Sequence, residues 1–486
     1  MTPRPNVVLL VFDTLRADAL SCYDDDAVET PNLDRIAESG TRFESAFSAG
    51  AWTPPAHGTL FSGLWPSNSG FQGNMPTMDD DVPLLADRLR DAGYDTYGVS
   101  GPSKMASPTN LDRGFDWYYE PWDHVAERPS VEWFEQLLTD DSVRRDTFRL
   151  FTRGNDYYNE LRIEKFLDAL GGAESPFFGM MNLTTVHAPY DPPRPYKTDR
   201  TPSLSRPPLH VFEELLTPGR IEDDSVRDER VFAVADGKRS NNIRFRYYDD
   251  DSYVSDEELA IVREWYRASV EYLDDQVGRI LGWFDERNLT DDTVFVLTSD
   301  HGEYFGEHGL LYHSVGLYDE VLRVPLIFAG PGVPTGSRRE DLASLADVFA
   351  TVCALSDVEA PETDGIDLFG PERRDHVVAE RAYTEHGNPE AESEVSEETL
   401  AWMRVGRKSI RTEDYRLELR SDGSSSLYRL PSQEEVVDPD PDVVSDLRDR
   451  LTAEVDDEFN RGDGDGDERE YSDAVQRNLR DLGYLG

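Results

Sequence analysis

The run Asn6-Val-Val-Leu-Leu-Val-Phe-Asp13 is continuously apolar and ends in an acid. This pattern is typical of a strand buried in a parallel sheet, so Asp13 should stand at its carboxyl end. A second run, Thr293–Thr298, leads at once into Ser299-Asp300-His301-Gly302-Glu303, and a third run spans Val324–Ala329. Ligands of open α/β sheets bind outside the carboxyl ends of the strands, so we expect Asp13, Asp300 and His301 to converge.

Helical patterns separate these strands. One covers Asp79–Gly93, and a longer one from Ser255 to about Asn288 repeats apolar residues with the helical period. The longer pattern opens with Ser255-Asp-Glu-Glu258, which is a capping box. Strands alternating with helices over most of the chain predict a doubly wound α/β domain.

The remaining segments predict the domain organisation. We expect residues 1–375 to form the catalytic α/β domain, with irregular insertions at about 121–175 and 194–251 that either shape a substrate mouth or only elaborate the surface. Residues 376–486 combine short β-like pieces, a helix at about 443–459 and a final tail. This pattern predicts a small α+β C-terminal domain.

Composition excludes several classes of partner. The 486 residues include 98 Asp and Glu against 49 Lys and Arg, a net charge of -49 that disfavours nucleic acid and anionic membranes. Only five of the basic residues are Lys, and this acidic, Lys-poor pattern predicts a folded protein of a high-salt cytoplasm. Two cysteines exclude a disulfide framework, and the short N-terminal apolar run predicts neither a signal peptide nor a membrane anchor. The composition leaves the oligomeric state open.

The stretch Ala51–Gly63 contains Thr53-Pro54-Pro55-Ala56-His57. Proline favours the first turn of a helix, so Thr53 should lie at a helix N-terminus, where backbone N–H groups and the helix dipole attract an anion. A plain N-cap is the commoner explanation of a Thr-Pro pair. The stretch by itself does not choose between these interpretations.

Together, in this order, the motifs resemble those of the sulfatase family, within the alkaline-phosphatase-like superfamily. The matching segments are Arg4–Asp13, Thr30–Asp34, Thr53–Gly63, Asp112–Asp116, His187–Tyr190, Tyr272–Gly278, Ser299–Gly309, Arg323–Leu326 and Leu482–Leu485. The resemblance covers most of the chain. It implies a large, mixed, mostly parallel sheet between helices and the hydrolysis of an anionic ester.

The resemblance also implies a metal site. One divalent cation would be held by Asp13, Asp300 and His301, with the hydroxyl of Thr53 as a further ligand and as the nucleophile. Carboxylates with one imidazole suit Ca, Mg or Mn, and Zn also remains open.

Three histidines have roles implied by family position. His187 would protonate the leaving group, and His313 lies where the family often has a lysine or histidine that contacts the anion. His57 takes the place of an arginine that usually follows the nucleophile.

The sequence departs from the family at the nucleophile. Thr53 stands where sulfatases carry the Cys or Ser that becomes formylglycine, so we expect no formylglycine. A sulfate on threonine must be removed by water attacking sulfur, whereas a phosphate on threonine is open to metal-assisted attack by water. Thr14 replaces a second metal-binding Asp, and Lys104 is the nearest substitute for a missing Lys-x-His motif.

The sequence therefore predicts a single-metal hydrolase that cleaves a sulfate or phosphate ester through a covalent intermediate on Thr53. Two alternatives stay open. One is a phosphotransferase similar to the phosphoglycerol and phosphoethanolamine transferases, and the other is a non-catalytic relative that binds an anion or a glycan.

Overall fold

The structure, a computed structural model, describes residues 4–73, 76–101, 105, 107–120, 157–174, 176–197, 234–235, 241–313, 315–382, 395–455 and 458–459. Its strands are β1 Asn6–Phe12, β2 Thr41–Phe47, β3 Asp95–Val99, β4 Trp117–Tyr119, β5 Phe177–Leu183, β6 Thr293–Ser299, β7 Tyr304–Phe305, β8 Leu311–Tyr312, β9 Leu326–Ala329, β10 Ser337–Ser344, β11 Val377–Arg381, β12 Arg407–Arg411, β13 Tyr415–Arg420, β14 Ser425–Arg429 and β15 Glu434–Glu435. Its helices are α1 Pro31–Ser39, α2 Thr53–Ser62, α3 Pro66–Ser69, α4 Leu85–Asp91, α5 Tyr157–Leu170, α6 Asn241–Asp249, α7 Asp256–Glu286, α8 Asp319–Leu322, α9 Ala346–Leu355, α10 Glu397–Arg404 and α11 Pro441–Glu454.

The main sheet has eight strands in the order β10-β2-β9-β6-β1-β5-β3-β4. All neighbours run parallel except β9, which is antiparallel to both β2 and β6. The predicted large, mostly parallel sheet of an α/β fold is therefore confirmed.

Strand β1 lies near the middle of this sheet, and all seven of its residues are buried. Val8, Leu10 and Phe12 pack into the core that contains α1, α5 and α7. The alternate residues of β1 pack on the other face, against α2, α4 and α9. Each large apolar side chain buried in this way contributes about 1.5–3 kcal/mol. This two-sided burial explains why the sequence of β1 is continuously apolar.

The third apolar run was expected to resemble the buried parallel strands, and this is wrong for β9. The strand covers only Leu326–Ala329 and is antiparallel. Helix α8 already lies beside the carboxyl end of β6, where Gly302 N donates to Val321 O. From that point the chain can enter the sheet only in the reverse direction, and no crossover helix is needed.

The long helix was predicted accurately and the shorter one was not. Helix α7 spans Asp256–Glu286, and Ser255 with Glu258 forms both bonds of the capping box. Helix α4 covers only Leu85–Asp91 of the predicted Asp79–Gly93. Pro83 accounts for the late start, because the residue before a proline is held away from helical conformation.

The first predicted insertion is only partly irregular. Within it the structure describes residues 157–174, which contain the 14-residue helix α5, so the expectation is wrong there. Phe166 and Ile163 of α5 are fully buried against the sheet. Most of both insertions lies outside the described residues.

A second sheet of five antiparallel strands, β11–β15, follows the first. It packs with α11, and this core includes Trp65 and Ala346 from the first part of the chain. A smaller α+β unit is therefore present, although the boundary at 375 and 376 stays a prediction. Within the described ranges, no helix is long and apolar enough to cross a lipid bilayer.

Candidate active site

Three neighbouring strands end at the same edge of the main sheet. Phe12 of β1 pairs with Ser299 of β6 on one side and with Leu183 of β5 on the other. Just beyond the strands, Asp13 N donates to Leu183 O at 2.9 Å, and Asp300 N donates to Phe12 O at 3.2 Å. The segments that carry Asp13, Asp300–His301 and His187 are therefore adjacent.

Asp13, Asp300 and His301 form a buried cluster in which one ligand atom of each lies within 4.8 Å of the others. Asp300 Oδ2 lies 3.4 Å from His301 Nε2, which lies 3.9 Å from Asp13 Oδ1. His301 Nδ1 is 2.9 Å from Gly302 O, so Nδ1 carries the proton and the Nε2 lone pair faces the carboxylates. Among the described residues, neither Asp300 Oδ2 nor His301 Nε2 has a hydrogen-bond partner.

The electrostatics of this cluster suit a cation. Burial, and then the charge of Asp13, raises the pKa of Asp300 well above its ordinary value. Burial, and then the charge of His313, lowers the pKa of His301 well below its ordinary value. Buried carboxylates and a neutral imidazole whose lone pairs converge are costly without a positive charge between them. The donor set therefore fits a divalent cation.

Thr14 contacts both Asp300 of the cluster and the segment before His187. Its backbone N–H donates to Asp300 Oδ1 at 3.2 Å, and its hydroxyl donates to Val186 O at 2.9 Å, next to His187. Its φ of 66° is left-handed, which is rare for a β-branched residue and stores strain of about 1–3 kcal/mol. The hydroxyl thus ties two strand ends together. Lys104 lies outside the described residues.

Thr53 is the first residue of α2 and is buried. The N-cap is Trp52 and makes no side-chain cap bond, so Thr53 is not an N-cap. Pro54 and Pro55 have no N–H, and the N–H of Ala56 already donates to Trp52 O at 3.4 Å. The helix start therefore offers an anion few free donors, and the hydroxyl of Thr53 is its main reactive group.

His57 lies one turn after Thr53 and is fully buried. Its Nδ1 is 2.9 Å from Thr53 O and 3.5 Å from Asp300 Oδ2, and its Nε2 is 3.1 Å from Asn182 Nδ2. Burial lowers the pKa of His57 to about 4. The ring is therefore neutral, donates from Nδ1, accepts at Nε2, and connects the start of α2 to the cluster.

Sequence reasoning gave no role to Asn182. The residue stands at the carboxyl end of the apolar run Phe177–Leu183 and is fully buried. An amide in that position of a buried strand is a signal that could have been used, since buried polar groups need partners.

The rings of His187 and His313 are neighbours close to His301. Their ring centroids are 5.4 Å apart, and the ring of His313 is 4.5 Å from that of His301. His187 Nδ1 is 2.7 Å from Ala188 O, which leaves Nε2 for the substrate side.

Glu303 and Tyr190 were quoted within motifs but received no role from the sequence. Glu303 is fully buried, with Oε1 2.9 Å from His313 Nδ1 and Oε2 accepting from Tyr190 Oη at 2.8 Å. Burial raises the pKa of Glu303 to about 7. Its partners come from two other segments of the chain, so spacing in the sequence could not reveal the contact.

Comparisons with known proteins identify a family for this chain. The family model described as Sulfatase matches residues 5–358. The chain is 26% identical over 422 residues to a choline-sulfatase of Rhizobium meliloti, covering 78% of this chain and 75% of that protein. It is 26% identical over 411 residues to an N-acetylglucosamine-6-O-sulfatase of Bacteroides thetaiotaomicron, covering 74% and 69%.

Solved structures share the fold. A phosphonate monoester hydrolase of Agrobacterium radiobacter superposes with a TM-score of 0.68 at 23% identity, covering 93% of this chain and 95% of that one. A Vibrio parahaemolyticus protein in the alkaline phosphatase superfamily superposes with a TM-score of 0.56 at 16% identity, covering 93% and 87%. The expected alkaline-phosphatase-like fold is confirmed.

Proposed function

The chain belongs to the sulfatase family and is a hydrolase of sulfuric or phosphoric esters, and on this premise we propose that it cleaves a monoanionic phosphorus ester. Phosphodiesters and phosphonate monoesters are the two substrate types of this charge. The reaction would pass through a covalent intermediate on Thr53.

The observation that carries the proposal is the neutral, buried ring of His57. The resemblance places an arginine at this position in typical sulfatases, whereas burial keeps His57 uncharged near neutral pH. The site therefore has one fixed positive charge fewer beside the nucleophile. An ester group with a single negative charge needs less positive charge in the site than a dianionic phosphate monoester does.

The nucleophile narrows the choice between sulfur and phosphorus. Thr53 cannot form the aldehyde hydrate that releases sulfate by breaking its own C–O bond. Its ester must be cleared by water attacking the central atom, and phosphorus accepts this attack more readily than sulfur. A single negative charge together with a threonine nucleophile favours a phosphodiester or a phosphonate monoester.

We propose that Asp13, Asp300 and His301 hold the divalent cation and that the hydroxyl of Thr53 completes the ligand set. The convergent, buried donor atoms of this cluster support the assignment. When bound, the cation would lower the pKa of the hydroxyl and neutralise non-bridging oxygens of the ester.

The residues of the chain then divide the reaction between them. Thr53 Oγ1 releases its proton to water and attacks phosphorus, and the bond from phosphorus to the leaving oxygen breaks. His187 acts as the general acid and donates a proton from Nε2 to that oxygen while Nδ1 is held by Ala188 O. Water then attacks phosphorus and passes a proton to His187, the bond from phosphorus to Thr53 Oγ1 breaks, and Thr53 Oγ1 takes a proton from solvent.

The test compares a diaryl phosphate, an aryl phosphonate monoester, an aryl phosphate and an aryl sulfate in high salt. Metal-stripped protein receives Mg, Ca, Mn or Zn separately. We expect the two monoanionic phosphorus esters to give the highest kcat/KM. Preference for the dianionic aryl phosphate would refute the charge argument.

Mass spectrometry of acid-quenched turnover tests the nucleophile, with an expected adduct on the peptide that contains Thr53. Thr53→Ala should lose both the adduct and the turnover. Thr59→Ala is the matched control, because Thr59 lies buried on the same helix and its hydroxyl has no hydrogen-bond partner among the described residues. Turnover that survives Thr53→Ala would remove the mechanism.

A sulfate monoester is the second candidate substrate, because curated relatives of this chain carry the names of sulfatases. Preference for the aryl sulfate would establish it and would mean that threonine supports sulfuryl transfer. Transfer of the group to an added alcohol would instead identify a transferase. Binding of the esters without turnover would identify a non-catalytic relative.

A further inference from the structure

The Glu303 carboxylate uses one oxygen for each of two partners. Oε1 lies 2.9 Å from His313 Nδ1, and Oε2 accepts from Tyr190 Oη at 2.8 Å. Glu303 is fully buried, whereas 11% of the His313 side chain remains exposed. The contact therefore joins a carboxylate in the protein interior to a histidine ring that is slightly exposed.

Tyr190 is itself held in place by aromatic neighbours. Its ring lies 5.7 Å from that of Tyr266 and 5.8 Å from that of Phe305, and it is almost fully buried. The phenol can therefore fix the carboxylate in one orientation. Glu303 in turn presents Oε1 to His313 in a fixed direction.

We propose that Glu303 is a positioning residue that fixes the orientation of the His313 ring by holding its Nδ1. A carboxylate that accepts from Nδ1 selects the nitrogen that carries the proton. The centroid of the His313 ring lies 4.5 Å from that of His301 and 5.4 Å from that of His187. The role in turnover rests on the proposed function, whereas the orientation of the ring rests only on these contacts.

The chain contains a second pair of the same chemistry that can serve as a control. Glu320 Oε2 lies 3.1 Å from His308 Nε2, and the His308 ring stacks on Tyr318 at 3.7 Å. This pair belongs to the same part of the sequence but lies outside the cluster of Asp13, Asp300 and His301. Replacing Glu320 with glutamine tests the general effect of removing a carboxylate from a histidine.

A double-mutant cycle tests the proposal by activity. We expect Glu303→Gln to lower kcat/KM about 10- to 100-fold, the range typical of residues that orient a functional histidine. In the His313→Ala background the same change should have little effect, because no ring remains to be positioned. Glu320→Gln should leave kcat/KM unchanged. An equal loss from Glu303→Gln in both backgrounds would show that Glu303 acts elsewhere and would overturn the proposal.

A spectroscopic readout separates this proposal from the proposed function. In protein labelled with 15N-histidine, the wild type should show a His313 Nδ1–H resonance shifted downfield by its hydrogen bond. The resonance is assigned by its loss in His313→Ala, and in Glu303→Gln it should move upfield, because a neutral amide oxygen is a weaker acceptor than a carboxylate. Its absence from the wild type would overturn the positioning role even if the protein is active. Its presence in a protein that turns over no ester would uphold the orientation while the proposed function fails.

The metal content of each variant completes the test. Glu303→Gln that binds Mg, Ca, Mn or Zn as the wild type does, yet shows reduced turnover, supports an effect through His313. Loss of metal in this variant would place Glu303 in the cation site instead.

Discussion

Asp300→Asn should change stability in opposite directions with and without a divalent cation. Asp300 Oδ1 accepts from Thr14 N at 3.2 Å and from His301 N at 2.8 Å, and asparagine keeps an oxygen for both bonds. The substitution therefore alters mainly Oδ2, which faces His301 Nε2 at 3.4 Å and His57 Nδ1 at 3.5 Å. An amide nitrogen in that place can donate to the lone pair of His301 Nε2, while His57 Nδ1 keeps its bond to Thr53 O at 2.9 Å.

The size of the gain without a cation follows from the charges. The donor atoms of Asp13 and Asp300 lie within 4.8 Å of each other. Two unit charges at that distance repel by about 3.5 kcal/mol at an effective dielectric constant of about 20. Proton uptake by Asp300, whose pKa is raised, relieves part of this repulsion. We therefore expect the variant to be more stable by about 2 kcal/mol in chelator.

A saturating concentration of cation should make the wild type more stable than the variant. Binding to the folded state stabilises the wild type by about 2.7 kcal/mol at a concentration one hundred times Kd. The variant has lost a charged ligand and gains little. Thermal unfolding in chelator and in each of Mg, Ca, Mn and Zn measures the effect of the substitution without and with a cation. We expect the Tm to shift by a few degrees.

Asp347→Asn is the matched control. Asp347 is fully buried, but Arg374 pairs with it at 2.5 Å, and Ser344 N and Ile366 N donate to it. Removing this compensated charge should destabilise the protein by about 3–5 kcal/mol in chelator and in cation alike. If Asp300→Asn destabilises the chelated protein in the same way, the two carboxylates of the cluster are not in conflict and the inferred cation site is wrong.

Two further changes test the surroundings of the site and the attachment of α11. Asn182→Ala leaves the buried Nε2 of His57 without its donor and should cost about 1–3 kcal/mol in urea unfolding, whereas an unchanged midpoint would show that the contact is dispensable. His376→Gln should reduce stability most between about pH 4.5 and 6.5. The hydrogen bond with Glu454 raises the pKa of His376 above 6.5, so its contribution is full below 6.5 and fades as pH rises through the raised value. The same bond lowers the pKa of Glu454 from 4.5 to about 2, so that contribution is present above 4.5 and fades as pH falls towards 2. We expect the free energy of unfolding of the variant and the wild type to differ by up to about 1 kcal/mol at pH 6. If this difference does not decrease from pH 6 to pH 8, the pairing of His376 with Glu454 is contradicted.

Local patterns account for the parts of the fold that were predicted. The apolar run of β1 reflects burial on both faces, and the capping box fixed the start of α7 within one residue. The direction of β9 could not be predicted from its own residues. It depends on the position of α8, which lies beside the carboxyl end of β6 and from which the chain enters β9. Helix α5 was missed because the charges and tyrosines of its sequence masked the residues that it buries.

In the site, too, some contacts could be predicted from local patterns and others depend on the packing of distant segments. Asp13, Asp300 and His301 follow strands, so the rule for strand ends predicted that they converge. The bond from His57 Nδ1 to Thr53 O is a local contact within one helical turn. The partner of its other nitrogen lies on β5, and Glu303 finds Tyr190 and His313 on separate segments. Such contacts depend on the packed fold and leave no spacing in the sequence.

The net charge of -49 determines where attraction for an anionic substrate must arise. The field of the whole molecule repels an anion, and salt at about 1 M screens it within about 3 Å. Buried groups are screened much less, so the attraction has to come from groups within a few ångströms of the ester. With His57 neutral, the proposed function assigns this attraction to a cation held by Asp13, Asp300 and His301 and to the rings of His187 and His313. The proposed positioning of His313 would therefore matter more here than in a protein whose surface already attracts anions towards its site.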